Sequence, residues 1–239
     1  MKFLAVVPAR LNSKSLRKKN TFLVNKKPLI QYTFEELQKS FIKNKYLLSD
    51  DKRIIKLAKK YNLSVDYLRP KSLSRSTTSL VETLFHFHKW TESKKIFYDY
   101  LVVLQPTSPL RNYKDINSAV KMVKKRKYKS LFSISESLEH PYESIKIDKN
   151  KKWKYVLSKS KLYYRRQDFD FKSYFINGAI FIMHRELIIK KKIYDNKRHG
   201  LFLMPKYRSI DINDINEIKI TESLLVYFLT GNFEIGLPL

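Results

Sequence analysis

Short apolar runs alternate with segments of helical periodicity through the first half of the chain, and this alternation restricts the fold more than any other feature. Residues 3–7 and 100–104 have the length and composition of buried strands, and each leads into a polar loop and then a helix. Strands connected in this way form a parallel sheet with right-handed helical crossovers. The sequence therefore predicts an α/β fold with a mostly parallel, doubly wound (Rossmann-like) sheet.

The remaining elements keep this pattern until about residue 130. The sequence predicts strands at residues 3–7, 45–48, 65–68, 100–104, 130–135, 175–183 and 209–213. It predicts helices that start at Pro28, after Asp51, at Ser79, at Asn112 and at Asp214. Ser79 and Glu82 have the spacing of a capping box. Gly178 lies inside a predicted strand and indicates a bulge or a close approach of a ligand to the backbone.

Residues 136–175 interrupt this pattern with an irregular, basic and aromatic segment. Its aromatic side chains lack the periodicity that would bury them in their own chain: Tyr142, Trp153, Tyr155, Tyr163 and Tyr164. Aromatic and arginine side chains are enriched in protein interfaces. We therefore predict one domain over residues 1–239, from which this segment protrudes as a dimerisation arm or lid, and a homodimer whose contact it crosses.

The composition narrows the class of protein. The chain has 239 residues, a formal net charge of +27 and no cysteine, which excludes disulfides, thiol catalysis and Cys-ligated zinc. No apolar run reaches the length of a membrane span, and Met1-Lys2 leads directly into the first strand, so we expect a cytoplasmic protein. The lysines are spread over helices, loops and tail, which argues against a specific nucleic-acid partner. A non-catalytic basic module that binds nucleic acid or an anionic surface remains the alternative.

The loop after the first strand is the first candidate binding element. Its cations and hydrogen-bonding residues are Arg10, Asn12, Ser13, Lys14, Ser15, Arg17, Lys18, Lys19 and Asn20. Such side chains suit several phosphates of one nucleotide, and open α/β sheets bind ligands at this end of a strand. The loop lacks the glycines of a Walker A sequence. A solvated basic turn is the alternative interpretation.

Three further stretches carry residues suited to binding. Residues 105–111 (Q-P-T-S-P-L-R) follow a buried strand and combine rigid prolines with polar side chains, although an ordinary turn fits them too. Asp211 and Asn213 share one face of a strand-like segment and offer two oxygen ligands to Mg²⁺, whereas Asp214 is placed as a helix cap. Arg165 or Arg166 suits an acidic group, or belongs to a basic surface loop.

The five histidines show no metal-ligand spacing and are interpreted as structural or surface residues.

Taken together, these stretches resemble the CMP-N-acylneuraminate synthetase family, the cytidylyltransferases that activate sialic acids. The family's A-R-x-x-S-K-G-hydrophobic-P-x-K-N loop is similar to residues 9–20, and its L-Q-P-T-S-P-L-R is present in full at residues 104–111. Its S-T-D, L-R-P, R-Q-x, N-G-A-I-Y-I and S-I-D-I-D motifs look like residues 48–50, 68–70, 166–168, 177–182 and 209–213. The motifs occur in family order and cover nearly the whole chain.

The resemblance implies a nucleotidyltransferase that attaches CMP from CTP to the anomeric hydroxyl of a nine-carbon sugar acid and releases pyrophosphate. The catalytic residues it implies are Arg10, Lys19 and Asp211. The CTP-binding residues it implies are Arg10, Asn12, Ser13, Lys14, Lys19, Asn20, Arg69 and Ser79. The sugar-binding residues it implies are Gln105, Arg166 and Asn177. It also implies a homodimer and a Mg²⁺ cofactor, with Asp211 and Asn213 as metal ligands.

Four positions depart from the family pattern. Ser15 replaces a glycine and Arg17 replaces a proline, which bears on the geometry of the first loop. Ser76 replaces an aspartate, and Asn213 replaces the second metal aspartate, which lowers the expected metal affinity. The motifs do not distinguish sialic, legionaminic and pseudaminic acids. The sister synthetase for the eight-carbon acid 3-deoxy-manno-octulosonate ranks lower, because its central strand ends in a Gly-Asp-Glu-Pro turn where this chain has Q-P-T.

Overall fold

The computed structural model describes residues 1–11, 16, 18–75, 77–157 and 165–230. The strands of these residues are β1 Phe3–Ala9, β2 Leu23–Val24, β3 Lys27–Pro28, β4 Asn44–Ser49, β5 Tyr100–Leu104, β6 Ser130–Glu136, β7 Ile145–Ile147, β8 Trp153–Tyr155, β9 Tyr174–His184 and β10 His199–Leu203. Their α-helices are α1 Leu29–Lys39, α2 Lys52–Lys60, α3 Leu80–Ser93, α4 Tyr113–Arg126, α5 Arg185–Ile189 and α6 Ile215–Thr230. Among these helices, none has the length and apolar character needed to cross a bilayer.

A mixed sheet with the strand order β10-β6-β9-β5-β1-β4 forms the centre of the protein. β1 runs parallel to both β4 and β5, and β6 runs parallel to β10, so the predicted mostly parallel α/β sheet is confirmed. β9 is the exception, because it pairs antiparallel with both β5 and β6. The chain leaves β6 at Glu136 and returns at Tyr174, which pairs with it. A chain that leaves the sheet at the carboxyl end of β6 and returns beside that same end must run antiparallel to β6.

Two predicted strands are absent, and one helix starts a residue later than predicted. Residues 65–68 touch β4 only through isolated bridges at Ser64 and Leu68, so this prediction was wrong. Residues 209–213 are irregular and follow a short 3-10 helix, Lys206–Arg208. Pro28 lies outside α1 as its N-cap, since the helix begins at Leu29.

Local sequence signals set the starts of the helices that follow β4 and β5 and the start of α3. Ser79 and Glu82 form the predicted capping box of α3, and Asn112 and Asp115 form another at the start of α4. The Asp51 carboxylate caps α2 by accepting a hydrogen bond from the backbone N–H of Arg53. These reciprocal bonds satisfy N–H groups that a helix cannot satisfy itself. The helices therefore begin directly after the loops that carry the candidate binding residues.

The core lies on both faces of the sheet, because successive strand residues point to opposite sides. Val7 and Val102 pack with α1 and α4 residues such as Phe34 and Val120 in one cluster. Val6 and Val103 pack on the other face, in a cluster that contains Phe87 of α3. Burial on two faces explains why β1 and β5 read as continuous apolar runs.

The buried guanidinium of Arg111 joins three elements at the carboxyl edge of this sheet. Its Nη1 donates to the carbonyl oxygens of Gln105 (3.0 Å) and Ala179 (2.8 Å). Its Nη2 donates to the Thr33 hydroxyl on α1 at 2.7 Å. Burial lowers the pKa of Arg111 to about 10, and the negative charge of Asp115 opposes this shift. Arg111 therefore fixes the 105–111 loop to β9 and to α1.

We predict that Arg111→Lys lowers the free energy of unfolding by about 2–4 kcal/mol, because a single ammonium cannot replace the planar fork at three acceptors. Urea unfolding measures the change. Arg53→Lys is the matched control, since Arg53 is half exposed and forms its ion pair with neighbouring Asp51. An equal, small effect of both substitutions would contradict the role given to Arg111.

Candidate active site

Loops from several strands meet at the carboxyl edge of the sheet. The N–H of Leu11, just after β1, donates to the Asp50 carboxylate after β4 at 2.8 Å. The N–H of Ile212 donates to the carbonyl of Thr107, after β5, at 2.8 Å. The predicted phosphate loop, the 105–111 loop and residues 209–213 are therefore neighbours, as expected for the ligand site of an open α/β sheet.

Arg10, Lys19 and Asn20 of the first loop lie at this edge. The Asn20 amide holds the loop by donating to the carbonyl of Arg10 at 3.0 Å. Lys19 Nζ reaches across to the carbonyl of Ile212 at 2.9 Å and to Asn213 Oδ1 at 3.2 Å. Burial lowers the pKa of Lys19, the charges of Asp211 and Glu217 oppose that shift, and the charge of Arg10 adds to it. Arg10 and Lys19, which were both predicted to bind phosphate, are thus close enough for their positive charges to interact.

Several predicted residues lie outside the described residues. They are Asn12, Ser13, Lys14, Ser15, Arg17 and Ser76. The candidate residues of the first loop that the structure describes are therefore Arg10, Lys18, Lys19 and Asn20.

Asp211 has one carboxylate oxygen without a hydrogen bond from any residue that the structure describes. This oxygen, Oδ1, is buried, while Oδ2 accepts from Asn213 Nδ2 at 3.2 Å. A buried anionic oxygen without a partner is unfavourable unless a cation or donor occupies that space. Ile212, between the two polar residues, packs into a small core cluster and keeps them on the opposite side.

The oxygen atoms of Asp211 and Asn213 fit a hard cation that takes most of its other ligands from groups outside the protein. The described part of the chain contains no group of three or more His, Cys, Asp or Glu side chains able to hold a metal ion. Mg²⁺ needs only one or two protein carboxylates when substrate phosphates supply other oxygens. Asp214 is not available for this, because its Oδ1 accepts from the N–H groups of Asn216 and Glu217 and caps α6 as predicted.

Arg69 and Ser79, predicted near the nucleoside, have different environments. Arg69 is largely buried and its Nε and Nη2 donate to the carbonyl of Leu73 at 3.1 and 2.6 Å. Burial lowers its pKa, Asp50 opposes the shift, and Arg10 adds to it, which places Arg69 beside the first loop. Ser79 is exposed, but its hydroxyl is engaged in the capping box of α3. Its position is therefore explained by helix capping alone.

Gln105 and Asn177 differ in how they are available to a ligand. The Gln105 side chain has no hydrogen-bond partner in the described part of the chain, and it lies against Gly178. A Cβ at Gly178 would stand 3.7 Å from Gln105 Nε2, and the residue has φ +73°, so the predicted irregularity of this strand is confirmed. Asn177 is 1% exposed, and both ends of its amide are used inside the protein. Arg166 lies in a 3-10 helix, Arg166–Asp168.

The structure also brings in residues that the sequence did not single out. Ser133 Oγ donates to Asn177 Oδ1 at 2.6 Å, and Asn177 Nδ2 donates to Ser209 Oγ at 2.9 Å. Arg208 donates to the carboxylate of Asp115 through Nε and Nη2. The sequence predicted a helix start at Asn112, and the structure adds Asp115 as its capping-box partner. No local pattern could have found these contacts, because the partners lie in different elements.

Comparison with known proteins identifies the class. The chain matches the cytidylyltransferase family over residues 4–230 and belongs to it. The members of this family are nucleotidyltransferases, which favours an enzyme over a non-catalytic basic module.

Individual relatives show which kinds of cytidylyltransferase this chain resembles. A CMP-N,N'-diacetyllegionaminic acid synthase of Legionella pneumophila is 33% identical over 94% of this chain and 97% of that protein. An N-acylneuraminate cytidylyltransferase of Escherichia coli is 30% identical over 89% of this chain, which corresponds to 49% of that longer protein. A pseudaminic acid cytidylyltransferase of Campylobacter jejuni is 27% identical over 94% of this chain and 96% of that protein.

Solved structures agree on the fold. A CMP:2-keto-3-deoxy-manno-octonic acid synthetase complexed with CTP superimposes with a TM-score of 0.66 at 12% identity, over 95% of this chain and all of that chain. A cytidylyltransferase from Leptospira borgpetersenii gives 0.60 at 16% identity, over 98% and 90% of the two chains. Identities this low establish a shared fold and nothing about substrate.

We predict that Ser79→Ala lowers the free energy of unfolding by about 1 kcal/mol and leaves the KM for CTP unchanged, because the hydroxyl caps α3. Urea unfolding and initial-rate kinetics measure the two quantities. Ser79→Asp keeps a capping oxygen and should restore stability. A raised KM for CTP in Ser79→Ala, with stability unchanged, would instead make Ser79 a nucleotide ligand.

Proposed function

We propose that this chain transfers CMP from CTP to the anomeric hydroxyl of a nonulosonic acid of the sialic, legionaminic or pseudaminic type, with release of pyrophosphate. The observation that carries this proposal is the similarity, over 89–94% of this chain, to enzymes named for these three acids. The geometry at the carboxyl edge supports it, since cations, a buried carboxylate and an unengaged amide lie in adjacent loops.

Nucleotidyl transfer depends on positioning and on neutralising the charge of the phosphates. In the proposed site, Arg10, Lys19 and Asn20 bind the triphosphate, and Arg69 lies on the nucleoside side. Asn12, Ser13 and Lys14 complete this loop in the proposal. Mg²⁺, when bound, would add positive charge at the phosphates and orient them.

Asp211 is the proposed protein ligand of Mg²⁺, through its Oδ1, which has no hydrogen-bond partner among the described residues. Asn213 has a different proposed role, because its Oδ1 already accepts from Lys19 and its Nδ2 donates to Asp211. An amide can do both, whereas a carboxylate has no hydrogen to donate. Asn213 thus orients Asp211 and Lys19, and takes part in metal binding only weakly or through water.

Gln105 is the proposed contact to the sugar acid, since its side chain is unengaged beside Gly178. Arg166 is proposed on the carboxylate side of the sugar. Asn177, by contrast, is proposed to position Ser209 rather than to contact the sugar, because its amide is buried and fully used.

Turnover of a panel of acids tests the function. We expect pyrophosphate release from CTP and Mg²⁺ with at least one of sialic, legionaminic or pseudaminic acid. The eight-carbon 3-deoxy-manno-octulosonate is the comparison substrate and should react more slowly. Silence with all nine-carbon acids, or preference for the eight-carbon acid, would overturn the proposal.

We predict that Asp211→Ala reduces turnover by about 10²-fold or more, because the phosphates lose the carboxylate that holds their cation. Steady-state kinetics over a range of Mg²⁺ concentrations measure the effect. Asp214→Ala is the matched control at a neighbouring carboxylate. It should lower stability by about 1 kcal/mol through the lost cap and leave turnover intact. The reverse result would show that the carboxy-terminal loop is assigned in the wrong register.

Asn213→Asp tests the same loop by adding a carboxylate instead of removing one. We predict that it keeps activity and lowers the Mg²⁺ concentration needed for half-maximal rate, because it adds a carboxylate beside Asp211. Mg²⁺ titration of the initial rate gives this value. A higher Mg²⁺ requirement would mean that the amide hydrogen bond to Asp211 matters more than the added charge.

We also propose that the chain is a homodimer in which residues 136–175 cross the contact. Trp153 of β8 is 61% exposed, and Ile145 and Ile147 of β7 are exposed beside it. On the central sheet, Ile134 pairs with both Leu203 and Ile176, which are 57% and 55% exposed. Contiguous exposed apolar surface marks interfaces. The expectation that Tyr142 is not buried in its own chain was wrong, because this residue packs against Phe171 and is buried there.

We predict a dimeric mass in sedimentation at micromolar concentration. Combined Ile176→Glu and Leu203→Glu should give monomers, because two charges would enter the apolar contact. Phe97→Glu is the matched control at an exposed residue of the opposite sheet edge and should leave the dimer intact. A monomeric mass for the unmodified chain would exclude the arm as a dimer contact. Tyr163 and Tyr164 lie outside the described residues.

A further inference from the structure

We infer that Asp115 and Arg208 are positioning residues that hold the Asp211 loop against the Gln105 loop, an inference that rests on the proposed function. Asp115 lies in the first turn of α4 and is 5% exposed. Its Oδ2 accepts from Arg208 Nε at 3.2 Å and its Oδ1 from Arg208 Nη2 at 2.9 Å. This bidentate pair joins residues 93 positions apart in the chain.

Capping alone does not explain this pair. Asp115 caps α4 by accepting from the N–H of Asn112 at 3.1 Å. Glu82 has the same position in the capping box of α3, yet it is exposed and its described hydrogen bonds are with Ser79. A buried carboxylate is expensive to desolvate unless a well-placed cation accompanies it. The ion pair with Arg208, and not the capping role, therefore accounts for the burial of the Asp115 carboxylate.

The same carboxylate also serves the buried guanidinium of Arg111. The negative charge of Asp115 raises the pKa of Arg111 against the effect of burial. Arg111 holds the Gln105 carbonyl directly, at 3.0 Å. Asp115 thus pairs directly with Arg208, which belongs to the segment that leads to Asp211, and its charge also acts on Arg111, which fixes the 105–111 loop.

Arg208 is the first of three successive attachments of that segment. Ser209 follows, and its hydroxyl accepts from Asn177 Nδ2 at 2.9 Å. Ile212 is the third, with its N–H on the Thr107 carbonyl at 2.8 Å. Asp211 lies between these attached residues, so its direction depends on them. Loss of the Arg208 attachment should let the segment move relative to Gln105, and small displacements of reacting groups reduce rates strongly.

The test compares Asp115→Asn, Arg208→Gln and the double variant with Arg53→Gln. Asn at position 115 keeps the size and a capping oxygen but removes the charge. Arg53→Gln is the matched control, because Arg53 makes an equally bidentate pair with 5%-exposed Asp51, a partner only two residues away in the chain. Two quantities are measured, namely hydrogen exchange at the Ile212 amide in the protein without substrates and the Mg²⁺ concentration for half-maximal turnover.

We expect each single variant to speed exchange at Ile212 by about tenfold and to raise the Mg²⁺ requirement by about tenfold. The double variant should be no worse than either single variant, because both remove one interaction. Unchanged exchange and Mg²⁺ requirement, or equal effects of Arg53→Gln, would overturn the inference. If no acid is turned over by the unmodified enzyme, the proposed function fails, while faster exchange at Ile212 in the variants still supports the attachment.

Discussion

The buried guanidinium of Arg111 is the interaction on which the arrangement of this protein depends. It brings positive charge into the sheet, where Nη1 and Nη2 donate to two carbonyl oxygens and one hydroxyl oxygen. Such a group is tolerated because these three bonds are made and because the charge of Asp115 favours the cation. The helix α1, the strand β9 and the loop after β5 must therefore take fixed relative positions, and the candidate site is assembled on them.

The antiparallel strand β9 has two consequences for function. It brings Gly178 beside Gln105, where a backbone without Cβ leaves room at the proposed sugar site. It also makes residues 136–173 leave and re-enter the sheet at the active-site edge. The segment proposed to contact a second copy is thus attached directly to the catalytic edge. Dimer formation and the shape of the sugar site are expected to be linked for this reason.

The metal loop shows how a departure from the family pattern is accommodated. At the position of the family's second aspartate, Asn213 donates to Asp211 and accepts from Lys19. Within the part of the chain that the structure describes, this arrangement leaves Asp211 Oδ1 buried without a partner. The family's phosphate chemistry is therefore compatible with one protein carboxylate, provided that Asp211 is held firmly in place.

The sequence by itself determined the elements that rest on local physics. The apolar runs of β1 and β5, the capping boxes at Ser79 and Asn112 and the ordered motifs identified the fold class and the family. Only the tertiary structure decided the direction of β9, the burial of Asn177, and the pairing of Asp115 with Arg208. Those features depend on contacts between residues far apart in the chain, and periodicity and spacing report only on neighbours.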